Sequence, residues 1–339
     1  MHLSDMMNFC TLFDSYYLLK GLGLYLSLEK VTDAFHLYVM AFDKASFDKL
    51  KTLGFRHMTV ELLDDFETPE LLEAKKDRTK AEYCWTCGPS VIHHFMTKYG
   101  LEEITYLDSD LFFFSDPHII KKESGDYSVV ITEQGISEES AKLYGRYCVQ
   151  YMTFKNDKDG LGALTWWRDR CIEWCYQIME PSKYADQKYL DEFPKRWDKV
   201  YVLDNKGAGL APWNIHRYKY KNNSLLFEGR ELQFVFYHFH GVKLIIKNSV
   251  LYVQGLHYKL GKDIIRLFYI PYAETLMEAL NKYMGQTVSC YIVKDLSFAK
   301  ILEYRVRAWV KEYKCLTDFY FKHFHRRIER GHGTLIKEN

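Results

Sequence analysis

Short apolar runs alternate with helix-patterned segments along the first 81 residues of the chain. Three of these segments are apolar runs of strand length: residues 9–13, 35–40 and 57–60. Residues 17–28 instead place apolar side chains at helical spacing, and Asp43 is suited to cap a helix over residues 46–53. This order of strand, helix, strand, helix and strand is typical of a parallel sheet with crossover helices, an architecture that many nucleotide-binding proteins use.

The alternation continues toward the middle of the chain. A helix is predicted over residues 80–99, with Gly100 suited to a left-handed C-terminal cap. Strands are predicted over residues 104–107 and 127–132. An amphipathic helix rich in tryptophan is predicted over residues 160–179.

Beyond about residue 260 the pattern changes to longer helical segments that are rich in aromatic and basic residues. We find no internal repeat and no linker rich in Pro, Ser or Gly. We therefore expect residues 1–260 to form one catalytic α/β domain and residues 261–339 to form a helical extension packed on it. The predicted fold class is α/β, with a mixed, mostly parallel sheet flanked by helices and an α-helical C-terminal tail.

Composition narrows the classes of function. Lys and Arg number 46 against 45 Asp and Glu, so a formal charge of +1 lacks the basic excess that nucleic-acid binding needs. No stretch approaches the roughly 18–20 apolar residues of a membrane span, and the start lacks the pattern of a signal peptide. We therefore expect a cytoplasmic protein. The 8 Cys are scattered, with Cys84 and Cys87 as one C-x-x-C pair, which favours reduced thiols.

Two carboxylates separated by one residue, Asp108 and Asp110, follow the predicted strand over residues 104–107. Ligands of open α/β sheets bind at the carboxyl ends of strands, and carboxylate oxygens suit Mg²⁺ or Mn²⁺. The alternative is a solvated acidic turn. The apolar neighbours Leu107 and Phe112 favour the metal site, because burying two carboxylates without a cation or hydrogen-bond donors costs free energy.

A second candidate segment carries two imidazoles, His238 and His240, and ends in Gly241 and Lys243. Strand alternation places both imidazoles on one face, where a neutral imidazole can complete the coordination of a metal held by carboxylates. Gly241 permits a close approach of backbone to phosphate, and Lys243 can neutralise phosphate charge. The alternative for either histidine is an ordinary core or surface residue, and the sequence leaves open which of the two binds metal.

These segments resemble nucleotide-sugar glycosyltransferases of the GT-A fold, and the chain is most similar to glycosyltransferase family 8 and its bacterial relatives. The resemblance extends from about Asn8 to Lys243. It rests on four segments in family order: a strand and turn at residues 11–17, the D-x-D of residues 108–110, the D-Q of residues 186–187 and the H-x-x-G of residues 238–241.

The resemblance implies a metal-dependent enzyme that moves a sugar, with retention of configuration, from a nucleotide-sugar donor such as a UDP-sugar. The implied ligands of Mn²⁺ or Mg²⁺ are Asp108, Asp110 and His238 or His240. The implied residues around the donor are Thr11, Asp14, Tyr16, Tyr17, Arg78, Tyr83, Ser109, Gly241 and Lys243. Asp186, Gln187 and Gln150 are implied to surround the transferred sugar; the alternative for Asp186 and Gln187 is the N-terminal cap of a helix.

The sequence departs from the family pattern in three places. Tyr83-Cys84-Trp85 lacks the usual arginine of Y-x-R, and Arg78 is one helical turn earlier. Gln150 stands where the family carries a sugar-binding amide, and Lys243 is one position before the usual lysine. The identity of the sugar is therefore not carried over.

The resemblance also suggests a setting, bacterial surface-glycan assembly such as that of lipopolysaccharide, with a glycan or lipid-linked acceptor. Residues 319–327 combine aromatic side chains with clustered cations, as helices that bind anionic lipid at the inner face of a membrane do; a helix packed on the domain is the alternative. Two rival functions remain, a nucleotidyltransferase and a non-catalytic nucleotide- or sugar-binding protein of the same fold. A nucleotidyltransferase normally needs a basic, Gly-rich loop after the first strand, which residues 12–16 do not provide.

Overall fold

A computed structural model describes residues 6–221, 224–247, 250–255, 258, 260–284, 327–328 and 335–336. The strands are β1 (Met7–Phe13), β2 (Phe35–Ala41), β3 (Met58–Leu62), β4 (Glu103–Leu107), β5 (Leu111–Phe113), β6 (Val129–Glu133), β7 (Tyr147–Lys155), β8 (Val200–Val202), β9 (Lys219–Lys221), β10 (Ser224–Phe227), β11 (Arg230–Glu231), β12 (Phe236–His238), β13 (Val242–Lys247), β14 (Val250–Gly255), β15 (Arg327–Ile328) and β16 (Leu335–Ile336).

The α-helices are α1 (Leu18–Val31), α2 (Lys44–Leu53), α3 (Pro69–Lys75), α4 (Lys80–Lys98), α5 (His118–Ser124), α6 (Glu138–Tyr144), α7 (Lys158–Glu173), α8 (Phe193–Arg196), α9 (Lys262–Ile264) and α10 (Ile270–Ala279). Short 3-10 helices span Leu63–Asp65, Gln187–Glu192 and Ile215–Arg217, and π-helical turns span Ile265–Tyr269 and Leu280–Met284.

Seven strands form the main sheet in the order β3-β2-β1-β4-β7-β6-β8. β7 runs antiparallel to both of its neighbours, whereas the other pairs are parallel. The predicted fold class, a mixed and mostly parallel sheet flanked by helices, is confirmed. Because β1 and β4 are parallel neighbours, the residues that follow them, from Asp14 and from Asp108, leave the same edge of the sheet.

Helices cover both faces of this sheet. Successive residues of β1 point to opposite sides, so that Phe9 belongs to a hydrophobic cluster with α1 and α10 while Cys10 belongs to another with α4 and α7. The predicted helix caps are also present: Asp43 accepts a hydrogen bond from the Ser46 N–H, and Gly100 has a φ of +61°. Local chemistry and hydrophobic pattern therefore agree over this half of the chain.

The helical segment 262–284 packs against α1, which confirms the helical part of the predicted extension. A Cβ added at Gly23 would lie 2.8 Å from Leu276 Cδ2, so glycine permits this close approach of α1 and α10. The Lys30 ammonium of α1 forms an ion pair with Glu278 at 3.4 Å. The segment thus shares one hydrophobic core with the sheet, and the boundary near residue 260 stays a prediction.

A two-stranded sheet brings distant parts of the sequence together. β5 pairs antiparallel with β12, so that Leu111 faces His238 and Phe113 faces Phe236. The Phe239 N–H extends this pairing by donating to the Asp110 carbonyl at 2.9 Å. The register therefore places the histidine segment beside the carboxylate turn.

Three details differ from the sequence-based expectations. The helix predicted over residues 160–179 ends at Glu173, because the backbone of Trp174 is extended. The chain after it returns to the helix, where Trp167 Nε1 donates a hydrogen bond to the Asp186 carbonyl at 2.8 Å. Strand β7 was not predicted, since its almost fully buried run lacks the alternation of a half-buried strand. In the predicted helical tail, β15 and β16 pair as short antiparallel strands.

The aromatic and basic segment of residues 319–327, which either contacts a membrane or packs on the domain in our prediction, lies outside the described residues except for Arg327. Among the helices of the described part, none combines the length and apolar character that a membrane span requires.

Replacing two helical glycines by alanine is expected to change the free energy of unfolding in opposite directions. A Cβ at Gly160 would lie 2.1 Å from the Lys155 carbonyl oxygen, whereas a Cβ at Gly88 of α4 would meet no atom within 4 Å. We expect Gly160→Ala to lower the free energy of unfolding by about 1–3 kcal/mol. We expect Gly88→Ala to raise it by about 0.5–1 kcal/mol. Urea denaturation measures both, and equal effects of the two substitutions would contradict the packing.

Candidate metal and donor site

The two carboxylates lie in a tight turn between β4 and β5. Asp108 donates its N–H to the Gln150 carbonyl of β7 at 3.0 Å, and its own carbonyl accepts from the Leu111 N–H at 3.1 Å. Ser109 and Asp110 are buried in this turn, whereas 28% of the Asp108 side-chain surface is exposed. The turn therefore presents one carboxylate toward solvent and holds the other inside the protein.

His238 of β12 completes a three-residue group with these carboxylates. Its Nε2 lies 3.0 Å from Asp110 Oδ1 and 3.7 Å from Asp108 Oδ2. Ligand atoms of all three residues lie within 4.8 Å of one another, so this part of the described structure could hold a metal ion. The predicted ligands Asp108 and Asp110 are thus brought together, and of the two histidines it is His238 that joins them.

Gln150 orients the imidazole of His238 from behind. Its Oε1 lies 2.9 Å from His238 Nδ1, and because an amide oxygen only accepts hydrogen bonds, Nδ1 carries a proton. Nε2, which faces the carboxylates, is then the nitrogen available to a metal. Gln150 is fully buried, and its Nε2 donates to Thr132 Oγ1 at 3.4 Å. The structure gives Gln150 a positioning contact, and its direct contact with a sugar stays a prediction.

The electrostatics of the group are those of a site that needs positive charge. Burial raises the pKa of Asp108 to about 6, with the neighbouring Asp110 adding to the shift. Burial also acts on Asp110, but His238 and Lys20 outweigh it and hold the pKa of Asp110 well below its usual range. Burial disfavours the charged imidazole of His238, yet Asp110 outweighs it and raises that pKa to about 10. In this state the protonated imidazole supplies the positive charge that a metal ion would supply.

Lys20 is a buried cation that sequence reasoning missed. Its Nζ lies 3.6 Å from Asp110 Oδ2 and 4.0 Å from the centre of the Tyr17 ring. Burial lowers the pKa of Lys20, and the Asp110 carboxylate opposes that shift. The sequence could have indicated it, because Lys20 is a charged residue in the mostly apolar run from Leu18 to Leu28. In the structure every residue of this run is buried in α1.

The residues predicted to hold the base and ribose lie in the last part of β1 and in the turn after it. Asp14 accepts from the Tyr17 N–H at 3.1 Å and forms an ion pair with Lys80. Tyr16 is 45% exposed, and its ring centre lies 5.7 Å from that of Tyr17. Thr11 is fully buried, and within the described part of the chain its hydroxyl has no hydrogen-bond partner. Burial and the nearby charges of Asp110 and Asp108 raise the pKa of Tyr17, which therefore lies beside the carboxylates. The Tyr16 ring is accessible after the end of β1.

Asp186 and Gln187 lie at the start of a 3-10 helix. Asp186 occupies the N-cap position; its side chain makes no capping hydrogen bond further into the helix, although the backbone N–H groups of Asp186 and Gln187 act on its carboxyl group. Burial raises its pKa to about 8, with Asp108 adding to the shift. The preceding Ala185 has a φ of +47°, a strained conformation for alanine that fixes the turn. Gln187 donates to the Tyr144 carbonyl at 2.8 Å.

Arg78 and Tyr83 make structural contacts. The Arg78 guanidinium donates to the carbonyls of Cys171 and Ile172 at 2.9 and 2.5 Å and thereby ties the start of α4 to the end of α7. Tyr83 is buried and donates to Glu67 at 2.7 Å. The structure therefore explains both residues through packing, and their contact with a donor stays a prediction.

His240, Gly241 and Lys243 follow the metal-site histidine. The exposed His240 has its ring centre 5.6 Å from that of His238, outside the three-residue group. Gly241 has a φ of +71°, which glycine adopts without strain in the turn before β13. Lys243 lies near enough to Lys20 to contribute to the lowering of its pKa. Lys20 of α1 and Lys243 of β13 are thus close enough for their charges to interact.

A loop over residues 207–214 contacts the histidines. The Trp213 ring lies edge-on to His238 and His240, with centres 5.2 and 5.4 Å apart. Asn214 is buried, and its side-chain Nδ2 donates to the carbonyls of Gln134 and Gly209 at 3.0 and 2.8 Å. Asn214 is therefore held in a structural turn, whereas Trp213 lies directly against the site.

Comparison with known sequences places the chain in a family. No family model matches it. It is 33% identical over 282 residues to YfnD, an uncharacterized protein of Bacillus subtilis (strain 168), over 81% of this chain and 90% of YfnD. The chain belongs to the YfnD family. YfnF of the same organism is 29% identical over 255 residues, which cover 71% of this chain and 84% of YfnF.

The structure is similar to solved glycosyltransferase structures. The galactosyltransferase LgtC, in complex with donor and acceptor sugar analogs, matches with a TM-score of 0.49 and 10% identity over 80% of this chain and 96% of LgtC. The apo-form glycosyltransferase GlyE of Streptococcus pneumoniae TIGR4 matches with a TM-score of 0.48 and 12% identity over 83% of this chain and 66% of GlyE. These likenesses are distant, so the function has to be inferred from the side chains of the site.

The contact between Gln150 and His238 predicts a role in metal affinity. We expect Gln150→Leu to weaken Mn²⁺ binding about tenfold or more, because the imidazole loses the partner that sets its orientation and tautomer. Isothermal titration with Mn²⁺ measures this, with Gln233→Leu at an exposed glutamine as the control. Unchanged Mn²⁺ affinity in Gln150→Leu would show that the contact does not position the ligand.

The buried Asp186 predicts a pH-dependent stability. Its pKa rises on folding from 3.8 to about 8, so between these values the folded state holds a proton that the unfolded state has released. Stability therefore falls as pH rises across this window. In the presence of a metal chelator, we expect Asp186→Asn to have a higher melting temperature than the parent at pH 8. We expect the difference between the two melting temperatures to close toward pH 4. A gap that does not depend on pH would contradict the raised pKa, and Asp33→Asn at an exposed position is the control.

Proposed function

We propose that the chain is a metal-dependent glycosyltransferase that takes its sugar from a nucleotide-sugar donor. The observation that carries this proposal is the convergence of Asp108, Asp110 and His238 at the edge of the sheet where β1 and β4 end. Ligands of open α/β sheets bind at this edge. An oxygen-rich metal site here, next to tyrosines that can stack on a base, suits a nucleotide whose phosphates coordinate the metal.

The chemistry of the ligand set favours Mn²⁺ over Mg²⁺. Carboxylates suit both ions, but an imidazole ligand adds affinity for transition metals. Nε2 of His238 faces both carboxylates because Gln150 holds Nδ1. A divalent ion bound here supplies Lewis-acid stabilisation of the nucleoside diphosphate as it departs.

We assign different residues around the metal group to different parts of the donor. We assign the base and ribose to Thr11, Asp14, Tyr16 and Tyr17, since the exposed Tyr16 ring offers a stacking surface at the end of β1. Gly241 and Lys243 are assigned to the diphosphate, because a glycine with positive φ lets backbone approach phosphate and lysine supplies charge. The resemblance to family 8 supports a UDP-sugar as the donor.

Asp186, Gln187 and Gln150 are assigned to the side of the transferred sugar. Asp186 is buried and lies near enough to Asp108 for the two charges to interact. The resemblance supports retention of configuration, in which the departing phosphate guides the acceptor hydroxyl onto the same face of the sugar. We propose a glycan or lipid-linked acceptor in bacterial surface-polysaccharide synthesis, with the enzyme in the cytoplasm or at the inner face of the membrane.

The proposal predicts metal-dependent nucleotide binding that needs both carboxylates. We expect Mn²⁺ together with UDP or a UDP-sugar to raise the melting temperature of the parent, because a ligand that binds only the folded state stabilises it. Asp108→Asn and Asp110→Asn should fold and lose this shift, and Asp33→Asn should keep it. A full shift in either site variant would contradict the assignment of the site.

Slow hydrolysis of the nucleotide sugar separates an enzyme from a binding protein. We expect the parent with Mn²⁺ to release free sugar from its donor and Asp110→Ala to release none. A parent that binds the nucleotide tightly and hydrolyses no nucleotide sugar, with or without candidate acceptors, would favour the non-catalytic alternative.

A further inference from the structure

Lys20 lies where an apolar residue would satisfy the packing. Residues Leu18 to Leu28 of α1 are all buried, and Lys20 is the charged residue among them. Burying an ammonium costs free energy, and replacing a buried ion pair by apolar side chains is often neutral or stabilising. Stability alone therefore does not account for a lysine at this position.

The geometry of the ammonium leaves it able to bind a further group. Its Nζ lies 3.6 Å from Asp110 Oδ2, longer than the roughly 2.7–2.9 Å of a charge-assisted hydrogen bond. An ammonium has three donors, so this long ion pair does not use them up. On its other side lies the face of the Tyr17 ring, 4.0 Å from Nζ.

Lys20 also has a defined position relative to the metal group, on the other side of Asp110 from His238. Asp110 directs Oδ1 to His238 and Oδ2 to Lys20, so the carboxylate separates the ammonium from the imidazole. Lys20 is therefore beside the metal group and not a member of it. A positive charge at this point repels a bare divalent ion and attracts an anion that the ion would bind.

We propose that Lys20 is a built-in cation of the donor site that contacts the diphosphate of the nucleotide. This inference rests on the proposed function and adds a residue to it. The positive charge of Lys20 adds to that of a divalent ion held by Asp108, Asp110 and His238, so both would attract the negative charges of a diphosphate.

The variants Lys20→Met and Lys20→Gln test this inference, because we expect them to change the affinity for Mn²⁺ and the affinity for UDP in opposite directions. In isothermal titration with Mn²⁺ alone, we expect both variants to bind the ion more tightly than the parent, because a nearby positive charge is gone. In titration with UDP at saturating Mn²⁺, we expect both to bind about tenfold more weakly or worse. Lys30→Met is the matched control, since Lys30 is on the same helix and pairs with Glu278.

The outcomes separate this inference from the proposed function. Thermal unfolding first confirms that at least one of the two variants is folded. UDP affinity in the folded variant equal to that of the parent would overturn the role of Lys20 while leaving the proposed function intact. Weaker Mn²⁺ binding would overturn it as well, because it would show that Lys20 merely positions Asp110. A parent that binds no nucleoside diphosphate with Mn²⁺ would contradict the proposed function itself.

Discussion

The close placement of two carboxylates after β4, with Asp110 buried and Asp108 partly exposed, is the constraint on which the rest of the site depends. Asp108 and Asp110 leave the sheet between apolar strands, where unpaired negative charge is costly. Two other elements place positive groups next to Asp110: β12 provides His238 and α1 provides Lys20. A site that gathers cations around two carboxylates is poised to exchange the proton on His238 for a metal ion.

The framework places these groups through backbone pairing. The register of β5 with β12 sets His238 opposite Leu111, directly after Asp110. The reversed strand β7 runs beside β4 and brings Gln150 both to the backbone of Asp108 and to the imidazole of His238. One residue of β7 thus links the two halves of the metal group, which gives the antiparallel strand in an otherwise parallel sheet a functional consequence.

The sequence predicted the first half of the fold well, because its signals there are local. Apolar runs identified β1, β2 and β4, and the caps at Asp43 and Gly100 are present as expected. The D-x-D also stood out, since its apolar flanks argue against a solvated turn. The choice between His238 and His240 depends on the pairing of β5 with β12, more than a hundred residues apart, which no local pattern reveals. Lys20 was missed because a charge within a helical pattern does not show which neighbour it faces.

Electron spin-echo spectroscopy of bound Mn²⁺ tests the central claim, that Asp108, Asp110 and His238 hold a divalent ion, most directly. The account predicts coupling to the ¹⁴N of one imidazole in the parent, and loss of that coupling in His238→Gln while His240→Gln retains it. Mn²⁺ that shows no nitrogen coupling in the parent, or a coupling that disappears with His240 and survives the change at His238, would contradict it.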